Sequence, residues 1–305
     1  MTSEDAEELR GFIRRYVSDS GASGVVVGIS GGIDSAVVIK LAADALGPEK
    51  VHTVFMPTDV TPKGDYDCTG RLAELWGVGY EVINIQPAVD AMSGMLGGKL
   101  SRLETGNISA RCRMTVLYAK AKRLGCIVLG TSNQSEYMMG YFTKHGDGGS
   151  DAAPLVGLYK TNVRQLAKII GVPQVVIDKP PSAGLWEGQT DEDDMGITYA
   201  VLDTVLLEIE NGRTDAEIAT DSSLSAEASA VMDRCLCESS LGYRGIRVMN
   251  ELESAKVFSV RKGTFSDFQR FCQEEGMRME QAKLIRVLNG QRQVAFFEEA
   301  GRQER

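Results

Sequence analysis

Apolar residues along this chain recur at two spacings that alternate. Leu9, Phe12, Ile13, Tyr16 and Val17 fall three and four positions apart, which predicts an amphipathic helix over residues 4–18. Residues 24–29 form a continuous apolar run, read as a buried strand. A helix follows from about 34 to 46 and stops at Gly47-Pro48. The run "VHTVFMP" is the next strand, and the helix from about 65 to 76 ends at Gly77. "YEVINI" reads as a third strand. "NISARCRMTVLYAKAKRLG" reads as a long helix with Asn107 as its N-cap, and "CIVLGTS" as a fourth strand. Strands that are apolar throughout and alternate with helices predict an α/β, doubly wound, mostly parallel sheet with helices on both faces.

Two stretches break the alternation. Residues 141–154, "YFTKHGDGGSDAAP", are polar and glycine-rich, and residues 178–195, "DKPPSAGLWEGQTDEDDM", are rich in proline, glycine and acid. Loops of that length in a compact domain tend to be functional or disordered. Beyond about 210 the pattern is helical with no further clear strand, so the expected organisation is a domain over 1–210 and a helical extension over 211–305.

Composition narrows the class. The 305 residues suffice for a sizeable core, and no apolar run approaches the ~20 residues of a membrane helix. The acidic start "MTSEDAEELR" is unlike a signal or transit peptide, so the cytoplasm is the expected location. A net charge of -9 argues against a nucleic-acid partner, although a local site for a small anion can still be basic. The six cysteines show no framework spacing and read as reduced thiols.

The candidate chemistry begins at "VVVGISGGIDSAVV", residues 25–38. Gly28, Gly31 and Gly32 let the backbone approach a ligand, and at least one is expected at positive φ. The turn opens a helix at Asp34-Ser35, where free amides and the helix dipole favour an anion, and Ser30 and Ser35 add hydroxyls. This predicts a phosphate cradle at the carboxyl end of the first strand. The Gly-Lys-Ser/Thr ending of a Walker A loop is missing, and G-x-G-x-x-G does not fit. A carboxylate beside phosphates implies an intervening divalent cation, so Asp34 calls for a second acid near another strand end. Glu136, after the fourth strand, is the best candidate. Lys160 opens the helix "KTNVRQLAKII" and is placed to offset charge on departing phosphates. Of Arg111 and Arg113, one can face solvent and the other present a bidentate fork to a pyrophosphate. Lys144 and Asp151 flank a glycine loop that could close over a ligand.

The loop "SGGIDS" resembles that of the ATP pyrophosphatase (PP-loop) superfamily. With "GNISARCRMTVLYA", "LGTSNQSEYMMGYFTKHGDGGSD", "LYKTNVRQLAKIIGVP" and "KPPSAGLWEGQTDEDDMGI", in this order, the chain over roughly residues 5–210 is similar to the ammonia-dependent NAD synthetase family. The resemblance implies an adenine nucleotide alpha-hydrolase-like fold and ATP-dependent amidation of deamido-NAD through an acyl-adenylate. It implies that Gly28, Ile29, Ser30, Gly31, Gly32, Ile33, Asp34 and Ser35 cradle the phosphates, with Thr131, Lys160 and Ser182 also on ATP. Mg²⁺ falls to Asp34 and Glu136. Deamido-NAD falls to Arg111, Lys144 and Asp151, with Lys144 reaching across a homodimer interface and Asp151 a candidate base for ammonium. Length before and after the motif region leaves no room for a glutaminase domain, so ammonia is expected free or from a separate protein.

The chain departs from the family near its end. The family's basic His-Lys pair is missing, and "CESSLGYRGIRVMNE" stands near its place, with Arg244, Arg247 or the later "SVRKG" as substitutes. A different carboxylate substrate is the alternative that this departure leaves open. A sulfur-transfer enzyme on tRNA would need a basic face and paired cysteines. A non-catalytic nucleotide sensor would have lost Asp34 or Glu136, and both are present.

Overall fold

The computed structural model of the chain describes residues 1–97 and 100–211. Of the predicted extension over 211–305 only residue 211 is described, and Arg244, Arg247 and "SVRKG" lie outside the described residues. The chain divides into two compact units, Met1–Asp194 with Thr198–Asp203, and Met195–Ile197 with Thr204–Arg305. The first unit carries the sheet and everything below.

The elements run α1 (Ser3–Ser20), β1 (Val25–Gly28), α2 (Ile33–Leu46), β2 (Val51–Phe55), α3 (Lys63–Trp76), β3 (Gly79–Val82), α4 (Gln86–Leu96), α5 (Arg102–Leu124), β4 (Ile127–Leu129), α6 (Gln134–Met139), α7 (Lys160–Ile169), α8 (Gln174–Ile177), α9 (Asp191–Met195) and α10 (Tyr199–Glu210). The four strands are parallel in the order β3-β2-β1-β4. Alternation of side chains across the sheet divides the core in two. Val25 and Val27 join a cluster with α2 and α7, whereas Val26 joins a cluster with α5. All three are fully buried, which is why β1 reads as an unbroken apolar run.

Two sequence expectations change. The third strand is only Gly79–Val82, and its residues are exposed, because β3 closes the edge of the sheet. The long helix is capped six residues before Asn107: Ser101 caps α5 in a capping box with Glu104. Asn107 instead accepts a hydrogen bond from the Thr143 hydroxyl at 2.8 Å. Helix α4 carries no clear mark in the apolar pattern, since only Val89 is buried. Among the described residues no helix is long and apolar enough to cross a membrane.

The chain winds outward from β1 through β2 to β3 and then crosses back to place β4 on the other side of β1. Loops leaving adjacent strands therefore diverge at the carboxyl ends of β1 and β4. That crevice is where open parallel sheets bind ligands.

Candidate active site

Beyond β1 the backbone turns through Gly31 at φ +74°, a left-handed conformation that disfavours any side chain. The Ser35 hydroxyl donates to the Gly32 carbonyl at 3.0 Å, and the amide of Gly32 donates to the Ser30 hydroxyl at 3.2 Å. The two serine oxygens lie 3.1 Å apart. These bonds shape a tight loop, yet Gly32 at the N-cap of α2 offers no side-chain cap. The first amides of this helix are thus left for a ligand, with the helix dipole behind them.

Asp34 points from the first turn of α2 into a charged cluster. Its Oδ2 accepts from Lys160 Nζ at 2.5 Å and its Oδ1 from the Asn133 amide at 3.0 Å. Lys160 also reaches Glu136 Oε1 at 3.4 Å. Asn133 caps α6: its side-chain oxygen accepts from the Glu136 amide, and its own backbone amide donates to Glu136 Oε2, which holds that carboxylate beside Asp34. Lys160 is 1% exposed, and its ammonium lies 5.0 Å from the centre of the Tyr199 ring. The Tyr199 hydroxyl donates to Asp191 at 3.2 Å. Asp203 accepts from the Ser135 hydroxyl at 2.5 Å and from the Thr161 amide at 2.8 Å, and Ser135 accepts from the Lys160 amide at 2.9 Å. The start of α7 is therefore pinned at two amides, by a Ser135–Asp203 pair that is itself bonded together.

The electrostatics follow from crowding. Burial opposes charge on Lys160, but Asp34 and Glu136 outweigh it and hold the ammonium above its ordinary range. At an effective dielectric of about 20, one unit pair at 4 Å is worth about 4 kcal/mol, so two carboxylates suffice to reverse the effect of burial. Burial and then the Asp34 carboxylate push Glu136 up to about 8, against the pull of Lys160. The lysine stays charged, and Glu136 takes up a proton far more readily than a free carboxylate does. Burial likewise raises Asp191, and it keeps the Tyr199 phenol protonated as a donor.

A cavity of about 910 Å³ opens over this cluster. Gly28, Ile29, Ser30, Gly32, Ile33, Asp34 and Ser35 line it from the first loop, joined by Thr131, Glu136, Lys160 and Ser182. Arg111, Lys144 and Asp151 do not line it. Arg111 is exposed, and its Nε donates to the Lys144 carbonyl at 3.2 Å. Arg113 is the arginine that lines the cavity, with Nε on the Met56 carbonyl at 3.1 Å. Both Asp151 oxygens are engaged, one by the Val128 amide at 2.8 Å and the other by the Tyr118 hydroxyl at 3.3 Å. Sequence reasoning did not single out Lys179, Asp65, Asp191 or Tyr199. Asp191 sits in an acidic run that reads as solvated, and Tyr199 in an apolar helix that reads as core.

The family model described as NAD synthase matches residues 6–240. A second, described as the GH3 family C-terminal domain, matches residues 203–292, most of which lie outside the described residues. The NH(3)-dependent NAD(+) synthetase of Pyrococcus horikoshii is 52% identical over 202 residues, 66% of this chain and 78% of that protein. That of Pyrococcus furiosus is 48% identical over 213 residues, 70% of this chain and 82% of that protein. Among solved structures, an NMN synthetase from Francisella tularensis is 37% identical at a TM-score of 0.67, covering 76% of this chain and 93% of its own. An NH3-dependent NAD synthetase from Campylobacter jejuni, in complex with nitrate, is 29% identical at 0.62, covering 77% and 94%.

Proposed function

The chain belongs to the NAD synthase family and is an ATP-dependent ligase that amidates deamido-NAD with ammonia to give NAD; we propose that the Asp34–Lys160–Glu136 cluster and the loop before it are where ATP is cleaved. The observation that carries the site reading is the Lys160 ammonium held between two carboxylates at the mouth of a glycine loop.

In this reading the nicotinate carboxylate attacks the α-phosphorus of ATP and pyrophosphate departs. Ammonia then attacks the acyl carbon and AMP leaves. The free amides of α2 bind phosphate oxygens, with Thr131 and Ser182 on the cavity wall beside them. Lys160 stabilises charge that develops on the phosphates, and its fixed position means no reorganisation at the moment of reaction.

Among the described residues no cluster of three or more His, Cys, Asp or Glu side chains is arranged to hold a metal. Two carboxylates suit Mg²⁺, which takes one or two such ligands together with phosphate oxygens. The raised affinity of Glu136 for a proton fits a place where a cation belongs. Asp34 and Glu136 would hold it, and bound there it would neutralise phosphate charge. Arg111, Lys144 and Asp151 are assigned to deamido-NAD on the family resemblance, and they lie apart from the ATP cavity. With both oxygens engaged, Asp151 fits a positioning part better than that of a base for ammonium. A homodimer in which Lys144 reaches the partner's site, and a cytoplasmic location, complete the reading.

The test is direct. Purified protein is incubated with ATP, Mg²⁺ and ammonium plus either deamido-NAD or its mononucleotide counterpart, and AMP and the amidated product are followed by chromatography. Equal accumulation of AMP and NAD is expected. Amidation of the mononucleotide in preference to the dinucleotide would overturn the substrate assignment.

A further inference from the structure

We propose that Lys179 is a second cation of the ATP site, contacting the β- and γ-phosphates and the pyrophosphate formed from them; this rests on the reading that the cavity binds ATP. Lys179 and Asp65 line the same cavity as the glycine loop. They form an ion pair at 2.6 Å. The point where a Cβ on Gly31 would sit is 3.6 Å from both Lys179 Nζ and Asp65 Oδ1. The ammonium therefore lies over the tip of the loop, on the side where a phosphate chain cradled by its amides would pass.

The charge balance points the same way. Lys160 is already matched by Asp34 and Glu136, so the inner cluster brings no net positive charge to a polyanion. Among the described residues Lys179 has a single carboxylate partner, and its side chain is 33% exposed. With the lysine end of the pair partly in water, its attraction to Asp65 is screened, so exchanging Asp65 for phosphate oxygens loses little. A lysine suits the task because its flexible stem and three donors can follow a leaving group. In the first step a carboxylate oxygen forms a bond to the α-phosphorus. The bond from that phosphorus to the bridging oxygen breaks, and its electron pair leaves on pyrophosphate. Lys179 donates hydrogen bonds to that leaving group and transfers no proton.

The experiment measures calorimetric binding of inorganic pyrophosphate with Mg²⁺, and separately of AMP, to wild type, Lys179→Gln, Lys179→Arg and Asp65→Asn. Lys179→Gln is expected to weaken pyrophosphate roughly tenfold or more, as for one lost charge-assisted contact, while AMP binding holds within about twofold. Lys179→Arg should retain most pyrophosphate affinity, and Asp65→Asn should bind pyrophosphate at least as tightly as wild type. AMP binding reports an intact fold, and Asp65→Asn provides an independent arm should Lys179→Gln not fold. Pyrophosphate affinity unchanged in Lys179→Gln, lowered in Asp65→Asn or undetectable in wild type overturns the proposal. A wild type that binds both ligands yet makes no NAD would sink the functional reading and leave Lys179 standing.

Discussion

Replacing Glu136 with glutamine should stabilise the free protein at alkaline pH while removing activity. Glu136 is held at about 8 in the folded chain, against an ordinary value of 4.5. The folded state therefore binds the proton more tightly than the unfolded state does. Its contribution to stability is complete below about pH 4.5, declines as pH rises through about 8, and is absent above. At 1.36 kcal/mol per unit, the decline amounts to on the order of 4 kcal/mol. Glutamine keeps the shape and an oxygen for Lys160 but has nothing to ionise. Lys160 stays charged throughout this window and adds no slope of its own. The assay is chemical denaturation of both proteins, with chelator and without nucleotide, at about pH 5, 7 and 9. Glu136→Gln should gain on wild type by on the order of 4 kcal/mol between the extremes. Addition of Mg²⁺ and a non-hydrolysable ATP analogue near neutral pH should release a proton from wild type and none from the variant. Parallel pH dependence of the two proteins would refute the shared-proton picture of the cluster.

Lys160→Met should lower the rate of AMP formation by about 10²–10³, the usual loss of a preorganised electrostatic group, with far-ultraviolet circular dichroism unchanged. The Tyr199 ring beneath Lys160 separates two contributions: Tyr199→Phe keeps the face and loses the bond to Asp191, whereas Tyr199→Leu loses both. The leucine variant should fall further in kcat by up to about thirtyfold, matching a desolvated cation–ring contact of about 2 kcal/mol, and equal losses would dismiss the ring. Asp203→Ala leaves the Ser135 hydroxyl and the Thr161 amide without their acceptor. It should destabilise the chain by about 1–3 kcal/mol in denaturant melts and lower kcat through a loosened Lys160.

Much of the architecture was legible because it follows from local pattern. Val25–Val27 are apolar on both faces, and only a strand covered by helices on both sides buries such a run. Gly31, Asp34 and Ser35 announce a ligand loop through their side-chain chemistry alone, and Gly31 does take the left-handed turn. Other features had no local mark. Asn107 has a capping side chain, yet Ser101 and Glu104 together satisfy two backbone donors, and the helix begins there. "YEVINI" has the composition of a core strand, yet its first three residues form an exposed edge, because exposure depends on which strands lie beside it.

By itself, then, the amino-acid sequence determined the alternation of elements, the glycine loop and the identity of the acids and the lysine that charge the site. The tertiary structure decided which of them meet. Asp34 and Lys160 are 126 residues apart and touch because the chain reverses its winding at β1 and sets β4 beside it. The same reversal turns one of two neighbouring arginines inward, and it brings Tyr199 and Asp191 from an apolar helix and an acidic run to the buried ammonium. Periodicity along a chain reports which face of an element is apolar; it carries no record of the neighbour that face will meet. The crossover and the packing of whole elements settle that neighbour, and with it the charge state of the site.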